Sequence, residues 1–175
     1  MSTDFKGRVA IVTGAGGGLG REHALALAAR GAKVMVNDFG RLAPGSGEVS
    51  AAEAVAREIR AAGGAALSCH ASVTDEPAMR AMVADVMAQW GRVDILVNNA
   101  GILRDHSFGK MSLADFRLVV EVHLMGAVIC TQAVWDIMRS QKYGRVILTT
   151  SSSGLFGNFG QSNYGAAKMA LVGLM

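Results

Sequence analysis

The sequence predicts an α/β protein built on a doubly wound parallel sheet, and three observations carry that reading. Short runs of Val, Ile and Leu alternate along the chain with stretches that repeat apolar residues at helical spacing. The runs are continuously apolar, as strands covered by helices on both faces must be. The 22 glycines against two prolines suit many tight strand-to-helix turns.

Each element can be justified in order. Val9 to Val12 form a first strand that enters a glycine-rich loop, and a helix runs from about Gly18 to Arg30. Val34 to Val36 make a second strand ending at Asn37 and Asp38, and Gly40 to Gly47, with Pro44 and Ser46, reads as a loop. A helix from about Ser50 to Ala62 stops at Gly63 and Gly64, after which Ala65 to Cys69 give a third strand. The next helix has Thr74 as its expected N-cap, Asp75 and Glu76 at its positive start, and Met79, Met82, Val83, Val86, Met87 and Trp90 on one face; Gly91 ends it. Val93 to Val97 is the fourth strand, followed by Asn98 to Gly101 as NNAG. A long helix runs from about Ser112 to Ser140, and Val146 to Thr149 make the fifth strand. Right-handed crossovers with one reversal predict the order 3-2-1-4-5 and a ligand crevice at the reversal.

Composition excludes several classes. Half of the 175 residues are hydrophobic and 18% are charged, which rules out a disordered chain, and the length suits one domain spanning residues 1–175. The net charge of +3 contains no run of Lys or Arg, so no nucleic-acid or lipid-headgroup surface is expected. Cys69 and Cys130 form no CxxC and read as structural thiols of a reducing compartment. The N-terminus has no apolar signal region, and no apolar stretch reads as long enough to span a membrane; a cytoplasmic protein is expected. His23, His70 and His106 have no metal-ligand spacing, so no metal is expected.

The chemistry-bearing residues follow the strands. Gly14, Gly18, Leu19 and Gly20 lie between the first strand and first helix, where backbone N–H groups and the helix start can approach a pyrophosphate. A tight turn alone would also want glycine there. Asp38 follows Gly20 by eighteen residues, near the offset at which a carboxylate accepts hydrogen bonds from an adenosine ribose, which favours NAD over NADP. Arg21 could offset part of the repulsion between Asp38 and a 2′-phosphate, or simply face solvent. Asn99 either lines the adenosine side or bonds strand ends together. Tyr164 and Lys168 stand four apart on a helix and share a face. A tyrosine in water ionises near pH 10 and is a poor base at neutrality, but a neighbouring cation favours its phenolate, and Lys168 is that cation. Ser151, at the end of the fifth strand, can hydrogen-bond a substrate oxygen within reach of Tyr164.

The ordered set TGxxxGxG (Thr13 to Gly20), NNAG, Ser151 and YxxxK (Tyr164, Lys168) resembles the short-chain dehydrogenase/reductases over essentially the whole chain. The stretches GILRDHSF, VHLMGA and GNFGQSNYGAAK are similar to members that act on (3R)-hydroxyacyl-CoA. The resemblance implies a Rossmann-like fold, a nicotinamide cofactor and interconversion of a secondary alcohol and a ketone, with an acyl-CoA as substrate. It implies that Lys168 also holds the nicotinamide ribose and that Tyr164 is among the cofactor-binding residues. His123 stands where many members carry an asparagine that supports a proton-relay water, so it is a candidate relay; a core histidine is the other reading. Where members carry an aspartate after the third strand this chain has Ala71, so adenine binding would lean on Ser72 and Val73.

The helix from Leu118 to Met138 is apolar almost all round, so packing against a second copy is expected, giving a homodimer or homotetramer. Family members continue past the tyrosine helix into further strands. The chain is therefore read as C-terminally incomplete, with its fifth strand an exposed edge. An inactive nucleotide-binding or oligomerisation module that retains the motifs is the alternative function.

Overall fold

The computed structural model describes residues 4–40 and 49–175. Strands β1 (Val9–Thr13), β2 (Lys33–Asn37), β3 (Ala66–Cys69), β4 (Ile95–Asn98) and β5 (Arg145–Leu148) form one sheet, every pair parallel, in the order β3-β2-β1-β4-β5. This is the predicted topology. β1 and β4 are buried along their whole length, which is why they are apolar without alternation. The expected loop at Gly40 to Gly47 lies, Gly40 aside, outside the described residues.

The helices cover the two faces unequally. Helices α1 (Gly18–Ala29) and α2 (Ala51–Ala61) pack Ala24, Val55, Ala56 and Ile59 against Val12, Val34 and Val36 on one face. On the other, α3 (Glu76–Trp90) sets Met79, Met82, Val83 and Val86 against Ile11, Met35 and Leu96. Asp75, not the expected Thr74, caps α3 by accepting from Ala78 N–H at 3.0 Å; the Thr74 hydroxyl is taken by Ser72 at 2.8 Å. Regular pairing in β4 begins at Ile95, two residues later than expected. Asp94, fully buried, accepts from Val9 N–H at 2.9 Å and from Arg8 and Arg92, and this knot displaces the regular ladder.

The long helix is α4 (Leu113–Val120) and α5 (Gly126–Ser140), joined without a break by a π-helical turn at Glu121–Met125. Its buried positions are Val119, His123, Gly126, Ala127, Cys130, Val134 and Met138, at the three-and-four spacing of one helical face with Gly126 beside Ala127. Leu113, Leu118, Met125 and Trp135 remain exposed. This 28-residue helix, with a window of mean hydropathy 1.6, is long and apolar enough to cross a membrane by length and composition alone. That corrects the reading that no stretch reaches such a length; Cys130, Val134 and Met138 pack it against the α3 side of the sheet.

Beyond β5 come α6 (Ser152–Phe156), which the sequence did not suggest, and α7 (Ser162–Leu174). β5 is an outer strand with Val146 and Ile147 exposed, the apolar edge that was expected.

Candidate active site

The crevice opens at the carboxyl ends of β1 and β4, the reversal point of the sheet. Gly14 turns at φ 62°, and a Cβ on Gly20 would lie 2.1 Å from the Gly14 carbonyl oxygen, so the loop closes onto α1 only with glycine at both positions. Gly17 caps α1 with no side-chain hydrogen bond, and no acidic side chain sits in the first turn. The unspent N–H groups and the positive helix start therefore suit a phosphate. Leu19 lies exposed beside them.

A cavity of about 260 Å³ continues from the loop, walled by Gly14, Asp38, Ser72, Val73, Gly101 and Ile102 among others. The Asp38 carboxylate accepts from Gly16 N–H at 2.7 Å and Gly40 N–H at 2.6 Å, which holds it at the rim with lone pairs to spare. Arg21 is committed elsewhere, in a two-pronged pair with Glu58 at 2.7 Å. Asn99 does the bracing its position allowed: its side-chain amide donates to the carbonyls of Thr13 and Gly14, both at 3.1 Å. The cavity, the bare helix start and the rim carboxylate fit a dinucleotide.

Across the crevice, α7 carries Tyr164 and Lys168. The Lys168 ammonium lies 5.6 Å from the centre of the Tyr164 ring and donates to the Thr149 carbonyl at 2.5 Å. Lys168 is only 3% exposed, and among the described residues no carboxylate pairs with it. Burial pulls its ammonium down to about 8. His123, turned inward by the π-helical turn, meets the Tyr164 ring edge-on with centroids 5.3 Å apart. Its Nε2 bonds the backbone of Ile102 and its Nδ1 is buried without a hydrogen-bond partner. Burial, with the Lys168 charge adding to it, lowers His123 to about 4, so the ring is neutral at physiological pH. Gly101 makes room for it, since a Cβ there would lie 2.2 Å from the imidazole Cε1.

Ser151 is the N-cap of α6, three residues beyond β5, and its oxygen accepts from Ser153 N–H at 3.2 Å, leaving its proton to donate. A Cβ on Gly154 would meet the Lys168–Met169 backbone at about 3 Å, and one on Gly165 would meet the Ser153 carbonyl at 2.9 Å. This close packing of α6 on α7 sets the Ser151 helix against the Tyr164 turn. The sequence reading missed Thr149, the Lys168 acceptor, and Asn163, fully buried beneath Tyr164 and donating to the Arg104 carbonyl at 2.9 Å. Both act through backbone groups distant in sequence, which no spacing reveals.

Residues 8–175 match the short chain dehydrogenase family. The chain belongs to that family. It is 55% identical over 171 residues to the peroxisomal hydratase-dehydrogenase-epimerase of Saccharomyces cerevisiae, covering 97% of this chain and 19% of that protein. It is 54% identical over 175 residues to peroxisomal multifunctional enzyme A of Dictyostelium discoideum, covering 99% and 39%. The chain thus spans less than half the length of either relative. A 7α-hydroxysteroid dehydrogenase solved with NADH and 7-oxo glycochenodeoxycholic acid superposes with a TM-score of 0.88 at 33% identity, covering 98% of this chain and 64% of that one. The short-chain dehydrogenase fold expected from the ordered motifs is therefore established. The cytoplasmic expectation is overturned, because these relatives are named as peroxisomal enzymes. It rested on thiols and the N-terminus, whereas a peroxisomal address is of the Ser-Lys-Leu type read by a receptor at a C-terminus, which neither observation senses.

Proposed function

We propose that this chain carries the cofactor-binding and proton-transfer parts of an NAD-dependent oxidoreductase that interconverts a secondary alcohol and a ketone, with a (3R)-hydroxyacyl-CoA as substrate. The observation that carries the reading is the buried Lys168 ammonium, without a carboxylate partner among the described residues and one helical turn from Tyr164. Structural lysines are rarely buried in this way; one beside a crevice tyrosine serves that tyrosine.

The bound nicotinamide supplies hydride acceptance. Tyr164, as the phenolate, takes the alcohol proton at its ring oxygen, and the Lys168 ammonium stands 5.6 Å from the ring centre to face that charge. Ser151 donates to the substrate oxygen with the proton its own cap leaves free. His123, neutral and held by Ile102, offers its unpartnered Nδ1 to a water behind Tyr164, in keeping with the relay role. Gly14, Gly18, Leu19 and Gly20 hold the pyrophosphate, Asp38 the adenosine ribose, and Ser72 and Val73 the adenine, while Asn99 keeps the loop in register. Asp38 at the rim, with Arg21 occupied by Glu58, supports NAD over NADP. The exposed Leu118, Met125 and Trp135 support a homodimer or homotetramer through the long helix, which sedimentation checks. The relatives' names make the peroxisome the compartment to test first.

The deciding assay follows NAD reduction with (3R)-hydroxyacyl-CoA. Tyr164→Phe should lower kcat by roughly 10²- to 10⁴-fold while NADH still binds with similar affinity. Full turnover by the variant refutes the role of Tyr164, and cofactor binding without turnover by the unmodified protein favours an inactive module.

A further inference from the structure

Two segments flank the crevice mouth: residues 101–107 after β4 and residues 149–161 after β5. One side chain bonds to both of them. Gln161 donates from Nε2 to Asp105 Oδ2 at 2.9 Å, while its Oε1 accepts from Ser153 Oγ at 3.0 Å and from Asn158 Nδ2 at 2.9 Å. The network fixes the amide orientation, since the flipped amide would set its oxygen against a carboxylate. Beside this tie, His106 N–H donates to the Gly160 carbonyl at 2.9 Å. Gln161 precedes α7 directly and stands three residues before Tyr164, and Ser153 lies in the helix that Ser151 caps. One amide therefore joins the β4 segment to both elements of the catalytic side.

The segments so joined present large apolar side chains to solvent: Leu103 from one, Phe156 and Phe159 from the other, the last two 85% and 89% exposed. Aromatic rings that bare beside a polar crevice suit an apolar ligand. We propose that Gln161 is a positioning residue for the apolar tail of the substrate, acting through Asp105: it fixes the distance between the two apolar lips that receive the tail. The inference rests on the acyl substrate proposed above, and extends it to a residue outside the reacting groups.

The test uses charge exchange. Gln161→Glu sets two carboxylates against each other where 2.9 Å now separates donor from acceptor, and should push the lips apart. Asp105→Asn should be nearly silent, because the new amide can turn its oxygen toward Gln161. Combining the two should restore the tie, with the new amide donating to the new carboxylate, whose other oxygen still serves Ser153 and Asn158. With NADH present, binding of decanoyl-CoA should weaken about tenfold in Gln161→Glu and recover in the double variant, whereas butyryl-CoA should change less than about twofold in any of them. Amide hydrogen exchange should accelerate at His106 in Gln161→Glu alone.

A purely structural tie would move exchange without any dependence on chain length, and that result overturns the proposal. So does unchanged decanoyl-CoA binding in Gln161→Glu, failure of the double variant to recover, or no decanoyl-CoA binding by the unmodified protein. If binding follows the expected order while no protein oxidises (3R)-hydroxydecanoyl-CoA, the positioning role stands and the proposed reaction falls.

Discussion

Replacing Lys168 with methionine should make this protein more stable at neutral pH while ending its turnover. Lys168→Met keeps the apolar stem and removes the charge from a site that is 3% exposed. Burial brings the ammonium from its ordinary value near 10.5 to about 8, which corresponds to about 3 kcal/mol against folding while the group is charged. The bond to the Thr149 carbonyl returns about 1 kcal/mol, and the variant leaves that carbonyl short of a donor. The expected net gain at pH 7 is about 1 to 2 kcal/mol. The pH dependence is the sharper signature. Between about 8 and 10.5 the unfolded chain keeps a proton that the native protein releases, so the unmodified protein gains stability as pH rises through that window. Below the window it carries the whole penalty, and above it none. The advantage of the variant should therefore shrink by about 3 kcal/mol from pH 7 to pH 10.5 and change sign near the middle of the window, at about pH 9. Urea unfolding of both proteins at several pH values measures it, and other alkaline titrations, such as Cys130 pushed up to about 12 by burial, cancel in the difference. A variant less stable at pH 7, or a difference flat with pH, refutes the reading of Lys168 as a buried, unpaired cation.

His123, lowered to about 4 by burial, should act at the acid end: the unfolded chain binds a proton near pH 6.5 that the native ring refuses, so stability falls as pH drops from 6.5 toward 4. His123→Asn should flatten that slope by about 2 kcal/mol, read from urea midpoints at pH 7 and pH 4.5. Asp94→Ala, far from the crevice, should lower stability by about 2 kcal/mol, less than a fully buried pair would lose because Arg8 and Arg92 are part-exposed and rehydrate. Cofactor affinity of that variant, measured by fluorescence titration, should hold within about twofold, since the loss is one of global stability.

What the sequence made legible was whatever is local and periodic. β1 and β4 announce themselves because burial on both faces demands unbroken apolar runs, and Tyr164 and Lys168 because residues four apart on a helix must share a face. The glycine loop was readable for the same reason: close approach at Gly14 and Gly20 leaves no other residue. Less was readable where geometry is set from a distance. The meeting of His123 with Tyr164 depends on a π-helical turn, which no 3.6-residue pattern foretells. α6 has five residues, too few for periodicity to register, yet it moves Ser151 from a strand end to a helix cap. Gln161 and Asp105 are 56 residues apart, and nothing near either one signals the other.

The two ends of the sheet treat charge in opposite ways, and the contrast bears on function. At the amino ends of β1 and β4, Asp94 is buried with every acceptor occupied: Val9 N–H and the guanidiniums of Arg8 and Arg92 hold its carboxylate below the usual range, against the burial that would raise it. Arg8 also lies 3.8 Å over the Tyr143 ring. That end is satisfied and suits a structural joint. At the carboxyl ends, similar burial leaves, among the described residues, Lys168 without a counter-charge and His123 Nδ1 and Asn98 Oδ1 without partners. Folding alone would favour filling those positions with apolar side chains. Asn98, His123 and Lys168 line one small pocket together, so the polar groups that folding alone does not explain are gathered at the end of the sheet where the proposed reaction needs them.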